Sequence, residues 1–228
     1  MYFTVSYPLP SNCRISVRAP EAIFELMQVT LCGWIIQRAD RHYRPMIDIV
    51  DDGKLRVISS SFSSARRHSD LVNTLNDAFI ALAYCVRDLT PNSVLLHAAA
   101  LSSNNQISIY FGHRKSGKSR YIAEKCIDRD ICIADDLILY CDKSHLFQSL
   151  GFPVRLRRPI HASLLAKIDT SKILAGHSIC YFTQSMCNMM PVGQVFRPDK
   201  LFQFQPQYKI HELPLAILDH HLGSYIIN

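Results

Sequence analysis

The sequence predicts a mixed α/β (α+β) fold, in which a small strand-rich N-terminal lobe with one helix precedes a larger mixed-sheet domain. Three observations lead to this prediction. Short β-branched and apolar runs fill residues 1–65. Residues 71–87 carry apolar side chains at helical spacing. Residues 106–126 have the order strand, glycine loop, helix. We place the lobe at residues 1–90 and the second domain at residues 91–228.

Composition limits the classes of protein that this chain can belong to. Its 228 residues are 48% hydrophobic and 19% charged, which suits one large domain or a domain with a small lobe. The net charge of +6 fits an anionic ligand or an acidic partner and does not require nucleic acid. The eight cysteines include no C-x-x-C pair and no zinc-finger spacing, which favours reduced thiols. The N-terminus lacks signal-peptide features, and no apolar stretch is long enough for a bilayer. We therefore expect a cytoplasmic protein without a membrane or nucleic-acid partner.

Two elements of the lobe are predicted from local pattern. The apolar runs at residues 46–50 and 55–58 flank the turn sequence Asp-Asp-Gly-Lys at residues 51–54, which predicts a β-hairpin. The helical spacing that begins at Leu71 predicts a helix with Ser69 as its N-cap and an end near Arg87.

The second domain begins with a change of pattern. Residues 94–101 are nearly all apolar, which is typical of a strand buried on both faces. After a turn, residues 106–111 form a second, β-branched and aromatic strand pattern. Residues 119–126 then continue as a helix.

Between that strand and helix lies the motif G-x-x-x-x-G-K-S, which is typical of phosphate-binding loops. Its residues are Gly112, His113, Arg114, Lys115, Ser116, Gly117, Lys118 and Ser119. Glycines let backbone N–H groups approach phosphate oxygens, the lysine reaches the β- and γ-phosphates, and the last hydroxyl binds Mg²⁺. Arg120 follows as a further candidate for nucleotide binding. The alternative is an ordinary glycine-rich turn from strand to helix.

Two adjacent carboxylates follow the loop closely. Asp135 and Asp136 come directly after the apolar residues 131–134, and they follow Lys118 by 17 and 18 residues. In an extended chain their side chains face opposite ways, so one can hold Mg²⁺ while the other accepts a proton from an attacking hydroxyl. The alternative is an Asp-Asp turn between two hairpin strands.

Together, residues 95–101, 112–119 and 133–136 resemble the catalytic core of HPr kinase/phosphorylase. They resemble still more closely the short serine kinases of that superfamily found in bacterial peptide-modification gene clusters of the lasso peptide type. The resemblance covers about residues 93–141. It implies the mixed-sheet phosphate-loop core that these kinases share with phosphoenolpyruvate carboxykinase.

The resemblance also implies roles for individual residues. Lys118 and the loop amides would bind the β- and γ-phosphates of ATP, and Ser119 with Asp136 would bind Mg²⁺. Asp135 would be the general base on a serine hydroxyl, although the residues themselves leave the roles of the two aspartates interchangeable. His97 matches the histidine of the family near the active site; its alternative is a histidine buried in an apolar strand.

The implied activity is an ATP- and Mg²⁺-dependent kinase that phosphorylates a serine of a peptide or protein, with tailoring of a ribosomal peptide precursor as the expected setting.

Arg155, Arg157 and Arg158 resemble an arginine-proline segment of the short kinases and are candidates for substrate binding, the alternative being a solvated loop. The C-terminal signature that HPr kinases need for phosphorolysis and for their hexamer is not recognisable, although a homo-oligomer stays open. Two other functions remain as alternatives: a small-molecule hydroxyl kinase on the same core, and a nucleotide-binding regulatory module without catalysis.

Overall fold

The structure is a computed structural model that describes residues 1–6, 14–39, 44–60, 62, 67–205, 209–219 and 222–227. Over these residues the chain forms four α-helices, four β-sheets and several short 3-10 helices. Two of the sheets contain both parallel and antiparallel strand pairs. The predicted mixed α/β architecture is therefore confirmed, with strands more numerous than helices.

The N-terminal sheet has five strands. They are β1 (Tyr2–Ser6), β2 (Arg14–Arg18), β3 (Ile35–Arg38), β4 (Ile47–Asp51) and β5 (Leu55–Ser59). Their spatial order is β3-β1-β2-β4-β5. The predicted hairpin is confirmed, since β4 and β5 pair in antiparallel register with Ile49 opposite Val57. The Asp51 carboxylate accepts a hydrogen bond from the Gly53 amide at 3.1 Å, which stabilises the turn.

Two helices accompany this sheet, so the prediction of one helix in residues 1–90 is wrong. Helix α1 (Glu21–Thr30) was missed; it begins after Pro20 and buries Ile23, Phe24 and Met27 on one face. Helix α2 (Leu71–Leu89) lies where predicted and continues two residues beyond the expected end at Arg87.

The N-cap of α2 is Asp70, not the predicted Ser69. The Asp70 carboxylate accepts a hydrogen bond from the Asn73 amide at 2.8 Å. An N-cap side chain bonds the amide of the second or third helical residue, so the residue directly before Leu71 has the right geometry. Both residues are suitable cap types, and only their position distinguishes them.

The next strands form the second and third sheets. The second sheet comprises β6 (Ser93–Leu96), β10 (Ile138–Cys141), β11 (Leu146–Gln148) and β15 (Val195–Phe196), in the order β15-β11-β10-β6. The third sheet comprises β7 (Ala99–Ser103), β8 (Gln106–Gly112), β9 (Ile131–Ala134), β16 (Lys200–Phe204) and β17 (Ile210–Leu213), in the order β17-β16-β8-β7-β9.

The prediction of one strand over residues 94–101 is therefore wrong. The chain leaves the second sheet after Leu96 and enters the third sheet at Ala99. At the break, the His97 amide donates to the Tyr225 carbonyl at 2.8 Å instead of joining a strand ladder. Residues on both sides of the break are buried, so the apolar run gives no sequence signal for the change of sheet.

The remaining elements surround these two sheets. Helix α3 (Lys118–Ile127) follows the glycine loop and packs against β7 and β9. The fourth sheet has the order β12-β14-β13 and contains β12 (Arg155–Arg157), β13 (Ile173–Ala175) and β14 (Ile179–Phe182). Helix α4 (Ala162–Leu165) contacts α3. In the described part of the chain, the 3-10 helices are Thr170–Lys172, Leu215–Asp219 and Leu222–Tyr225.

Helix α2 connects the N-terminal sheet to the second domain. It packs on β4 and β5 of the N-terminal sheet and also on β6 and β14. One apolar core joins the residues of this sheet and of α2 to Leu95, Leu139, Leu150 and Tyr181 of the second domain. The buried face of α2 therefore reaches β6 and β14 of the second domain.

Candidate active site

The loop between β8 and α3 has a backbone that requires glycine at two positions. Gly112 has a φ of +151°, and a Cβ there would lie 2.9 Å from both the Cβ and the carbonyl oxygen of Phe204. Gly117 has a φ of +104° and directly precedes α3. Side chains are disfavoured in these conformations, so the glycine spacing of the motif follows from the path of the loop. The predicted order of strand, glycine loop and helix is confirmed.

Lys118 lies over this loop. Its side chain is nearly buried, and Nζ donates hydrogen bonds to the carbonyls of Gly112 at 2.6 Å and His113 at 3.3 Å. Burial lowers the pKa of Lys118, while the charges of Asp136 and Asp135 oppose that shift. The ammonium group is thus held at the loop by neutral carbonyl oxygens, for which phosphate oxygens can substitute.

The other motif residues differ in their surroundings. His113, Arg114 and Lys115 are exposed, whereas the Ser116 hydroxyl oxygen is buried and has no hydrogen-bond partner among the described residues. Arg120 is engaged on α3 and α4, since it donates to Glu124 at 2.9 Å and to Ser163 at 3.2 Å. A bound anion at the start of α3 would supply a hydrogen-bond acceptor for the Ser116 hydroxyl.

Asp135 is enclosed behind the loop. It is 4% exposed, and its Oδ2 accepts a hydrogen bond from the Arg155 amide at 2.9 Å. Its Oδ1 is buried and has no hydrogen-bond partner among the described residues. Burial, together with the neighbouring Asp136 charge, raises the pKa of Asp135 to about 6, although the Arg155 amide and the Ser119 hydroxyl favour its carboxylate form.

Asp136 has the opposite electrostatic environment. Its Oδ1 lies 3.1 Å from Nε2 of His97, and its Oδ2 lies 2.9 Å from Nη2 of Arg155. Burial alone would raise the pKa of Asp136, but the His97 hydrogen bond and the charges of Arg155 and Lys118 outweigh burial and hold the pKa at about 2. Asp136 is thus an ionised carboxylate, and its side chain is 29% exposed.

Most of the predicted site residues line one cavity of about 760 Å³. Residues 114–120 form one wall, and His97, Asp136, Arg155 and Arg157 also line it. Gly112, His113 and Asp135 lie outside this lining, and Asp135 instead borders a second cavity of about 30 Å³. Arg158 also lies outside it and donates to the Gly176 carbonyl at 2.7 Å. The volume is in the range of small-molecule sites.

The cavity also contains residues that the sequence analysis missed. Asn76 and Asp77 of α2 line it, and the Asn76 side-chain oxygen accepts hydrogen bonds from Arg155 Nη1 at 2.7 Å and from the Tyr181 hydroxyl at 3.0 Å. The signal was two adjacent polar residues inside an apolar helical pattern. That signal reveals no ligand by itself, because the partners of Asn76 come from β12 and β14.

The oxygen atoms of the site fit a magnesium ion. Ser119, Asp135 and Asp136 supply a hydroxyl and two carboxylates, and the Asp135 Oδ1 atom lacks a partner among the described residues. Mg²⁺ takes oxygen ligands, and in nucleotide sites it uses only one or two carboxylates besides phosphate and water. No cluster of three or more His, Cys, Asp or Glu side chains in the described part of the chain is arranged to hold a metal.

Comparison with known proteins adds no relative. No protein-family model matches the chain, and no curated protein matches it in sequence. Among the described residues, no helix has both the length and the apolar character needed to cross a membrane. The interpretation of the site therefore rests on its geometry and chemistry.

Proposed function

We propose that the protein is an ATP- and Mg²⁺-dependent kinase with a phosphate-loop core of the HPr kinase type, and that it transfers the γ-phosphoryl group to a serine hydroxyl of a peptide or protein. One observation carries this proposal. The loop cation Lys118, the loop hydroxyl Ser119 and the ionised carboxylate Asp136 line the same cavity. Phosphoryl transfer needs this combination of a phosphate cradle, a metal-binding oxygen and a group that orients the hydroxyl.

The phosphate end of the cavity is the loop itself. The loop leads directly into α3, and the Lys118 ammonium group lies 2.6 Å from a loop carbonyl. When the β- and γ-phosphates bind, their oxygens replace the carbonyl partners of Lys118. Burial strengthens this interaction, because the ammonium group and the phosphates then meet with little intervening water.

We assign the proton-accepting role to Asp136. Its side chain is partly exposed and lines the cavity, whereas both oxygens of Asp135 face protein. The pKa of about 6 for Asp135 would suit a general base better than the pKa of about 2 for Asp136. Reach takes precedence over pKa, because a base must contact the proton that it removes. This division is the reverse of the one that the resemblance implied.

A low pKa is compatible with this role. The transition state of phosphoryl transfer is loose in most analyses, so the attacking hydroxyl needs orientation more than early deprotonation. Asp136 would accept the hydrogen bond of the serine hydroxyl, whose oxygen bonds to the γ-phosphorus as the bond to the β–γ bridging oxygen breaks. ADP leaves with that electron pair, and Asp136 takes the proton. His97 and Arg155 hold the carboxylate in place from two sides.

Asp135 and Ser119 are the residues that would hold Mg²⁺. A bound magnesium ion supplies charge neutralisation on the β- and γ-phosphate oxygens. The Ser119 hydroxyl is close enough to Asp135 to favour its carboxylate form, and Ser119 lines the cavity, so an ion held by Ser119 would also reach the Asp135 carboxylate. The Arg155 amide orients the other oxygen of the same carboxylate.

The test is phosphate transfer measured by mass spectrometry. Wild type, Asp136→Asn and the exposed control Asp128→Asn are incubated with ATP, Mg²⁺ and serine peptides, and separately with a panel of small alcohols. We expect one phosphoryl group on a peptide serine with wild type and with the control. Asp136→Asn should lose at least about 100-fold in kcat. Transfer only to small alcohols would establish the small-molecule kinase, and nucleotide binding without any transfer would refute the kinase assignment.

A further inference from the structure

Besides the phosphate loop, the cavity lining contains two groups of residues of different chemistry, which we treat as its two ends. One end is formed by Arg157, residues 159–161 and Leu164, beside the start of α3. The other is formed by Phe62, Asn76, Asp77, Ile80, Tyr84 and Ile227, and we call these six residues the acceptor compartment. A kinase must seat a nucleoside and an acceptor on opposite sides of the transferred phosphoryl group, so the two ends invite separate assignment.

Contacts around Arg155 decide which end belongs to the acceptor. Its guanidinium contacts Asp136 through Nη2 and Asn76 through Nη1, at 2.9 and 2.7 Å. Asn76 of the compartment is therefore linked through the Arg155 side chain to Asp136, the carboxylate that we assign as proton acceptor. The opposite end lies beside α3 instead, because Arg120 of α3 donates a hydrogen bond of 3.2 Å to Ser163 of α4. The nucleoside then lies at the α4 end and the acceptor at the α2 end.

The compartment walls are largely apolar and aromatic. The rings of Phe62 and Tyr84 stack with centroids 5.9 Å apart and an interplanar angle of 15°. Ile80 is half-buried on the cavity side of α2. Ile227 completes the wall, since its amide donates to the Leu95 carbonyl at 2.9 Å and keeps the C-terminal segment beside β6. Such walls favour an uncharged side chain or hydrocarbon group.

Charge in the compartment opposes an acidic acceptor. Asp77 is a nearly buried carboxylate, and Asp136 lies at the boundary. Among the described residues here, the Arg155 guanidinium contacts Asp136 and Asn76, and the His68 ring lies 2.9 Å from Asp77. An acceptor carboxylate entering here would meet like charges at low dielectric. The basic loop residues Arg114 and Lys115 lie at the phosphate wall instead.

We infer that the acceptor compartment selects a serine hydroxyl that is flanked by an uncharged apolar or aromatic group and rejects one that is flanked by an acidic group. This inference rests on the proposed kinase function. It specifies the chemical group next to the acceptor hydroxyl, and the proposed roles of the phosphate loop and the aspartates do not specify that group. Ile80 is the specificity-determining residue that it singles out, because Ile80 is an apolar lining residue of the compartment and belongs neither to the loop nor to the aspartate pair.

The experiment compares two matched isoleucine variants at the two ends. Ile80→Ala lies in the acceptor compartment, and Ile160→Ala lies at the α4 end. The acceptors are the dipeptides N-acetyl-Phe-Ser-amide and N-acetyl-Glu-Ser-amide, with kcat and KM measured for ATP and for each dipeptide. Wild type should prefer the Phe dipeptide over the Glu dipeptide by about tenfold or more in kcat/KM.

Ile80→Ala should raise the KM for the Phe dipeptide by about fivefold to tenfold and leave the KM for ATP within about twofold. Ile160→Ala should do the reverse. Equal use of both dipeptides, or a change in ATP KM alone for Ile80→Ala, would overturn the acceptor compartment while leaving the kinase intact. Absence of transfer from wild type to any serine acceptor would instead refute the kinase function, and the inference with it.

Discussion

His97 and Asp136, which are 39 residues apart in the chain, meet with 3.1 Å between Nε2 and Oδ1. The contact exists because the chain changes sheets at His97 while Asp136 follows the end of β9. Arg155 approaches the other oxygen of the same carboxylate at 2.9 Å. Asp136 is therefore held from two sides, with its remaining surface toward the cavity.

Removing His97 should change the titration of Asp136. The His97 hydrogen bond is the largest influence that lowers the pKa of Asp136. His97→Ala should therefore raise that pKa, and His97→Asn should raise it less because an amide can still donate. Carboxyl carbon NMR titration of nucleotide-free protein measures this shift. An unchanged Asp136 titration in both variants would show that the contact has no electrostatic role.

Asp135→Asn should act through magnesium. If Asp135 and Ser119 hold the ion, the Mg²⁺ concentration for half-maximal activity should rise by roughly 10- to 100-fold. High Mg²⁺ should restore much of the activity of Asp135→Asn but not that of Asp136→Asn, because only Asp136 is assigned to the hydroxyl. Magnesium titrations at saturating ATP distinguish the variants. Rescue of Asp136→Asn and not of Asp135→Asn would restore the roles that the resemblance implied.

The same substitution should stabilise the metal-free protein in a pH-dependent way. Burial raises the folded-state pKa of Asp135 to about 6, above its unfolded value. The folded state therefore binds more protons than the unfolded state between these values, so stability falls as pH rises through this range. Asp135→Asn removes the charge and should gain about 1–3 kcal/mol at pH values above the folded pKa.

That gain should shrink as pH falls through about 6 and disappear below the unfolded pKa of about 4, where wild-type Asp135 is neutral in both states. Thermal unfolding in a chelator across this pH range checks the prediction. Asp128→Asn is the control, since Asp128 is exposed and outside the cavity. A gain from Asp135→Asn that is the same at all pH values would argue against an ionised buried carboxylate.

Two glycines with positive φ provide a matched test of the loop. A Cβ at Gly112 would lie 2.9 Å from the Phe204 carbonyl oxygen, whereas a Cβ at Gly53 would meet no atom within 4 Å. Both alanine variants should lose about 1 kcal/mol from backbone strain. Only Gly112→Ala should also lose stabilisation by ADP, which differential scanning fluorimetry measures with and without nucleotide. Equal ADP stabilisation of Gly112→Ala and wild type would show that the loop tolerates a side chain.

Much of the local structure could be predicted because its causes lie within a few residues. The turn at Gly53, the helical spacing of α2 and the glycine loop each depend on short-range sterics or on side-chain periodicity. The prediction of one strand over residues 94–101 was wrong because the sequence has no local signal there. Residues 95–101 are buried apart from the half-buried His97, so the apolar run gives no signal of where one sheet ends and another begins. In the structure the break is marked by the change of strand partners and by the hydrogen bond from the His97 amide to the Tyr225 carbonyl.

The candidate site likewise has one part that can be predicted from the sequence and another part that depends on the tertiary structure. The glycine loop and the adjacent Asp135 and Asp136 can be picked out in the chain itself as site candidates, since their spacing is short and their residue types suit the proposed chemistry. Access to those carboxylates depends on elements far away in the sequence. Arg155 on β12 binds Asp135 through its amide and Asp136 through its guanidinium, and Asn76 on α2 anchors that guanidinium. Which aspartate faces the cavity is therefore a property of long-range packing, because two neighbouring, chemically identical side chains differ only in what the rest of the fold places around them.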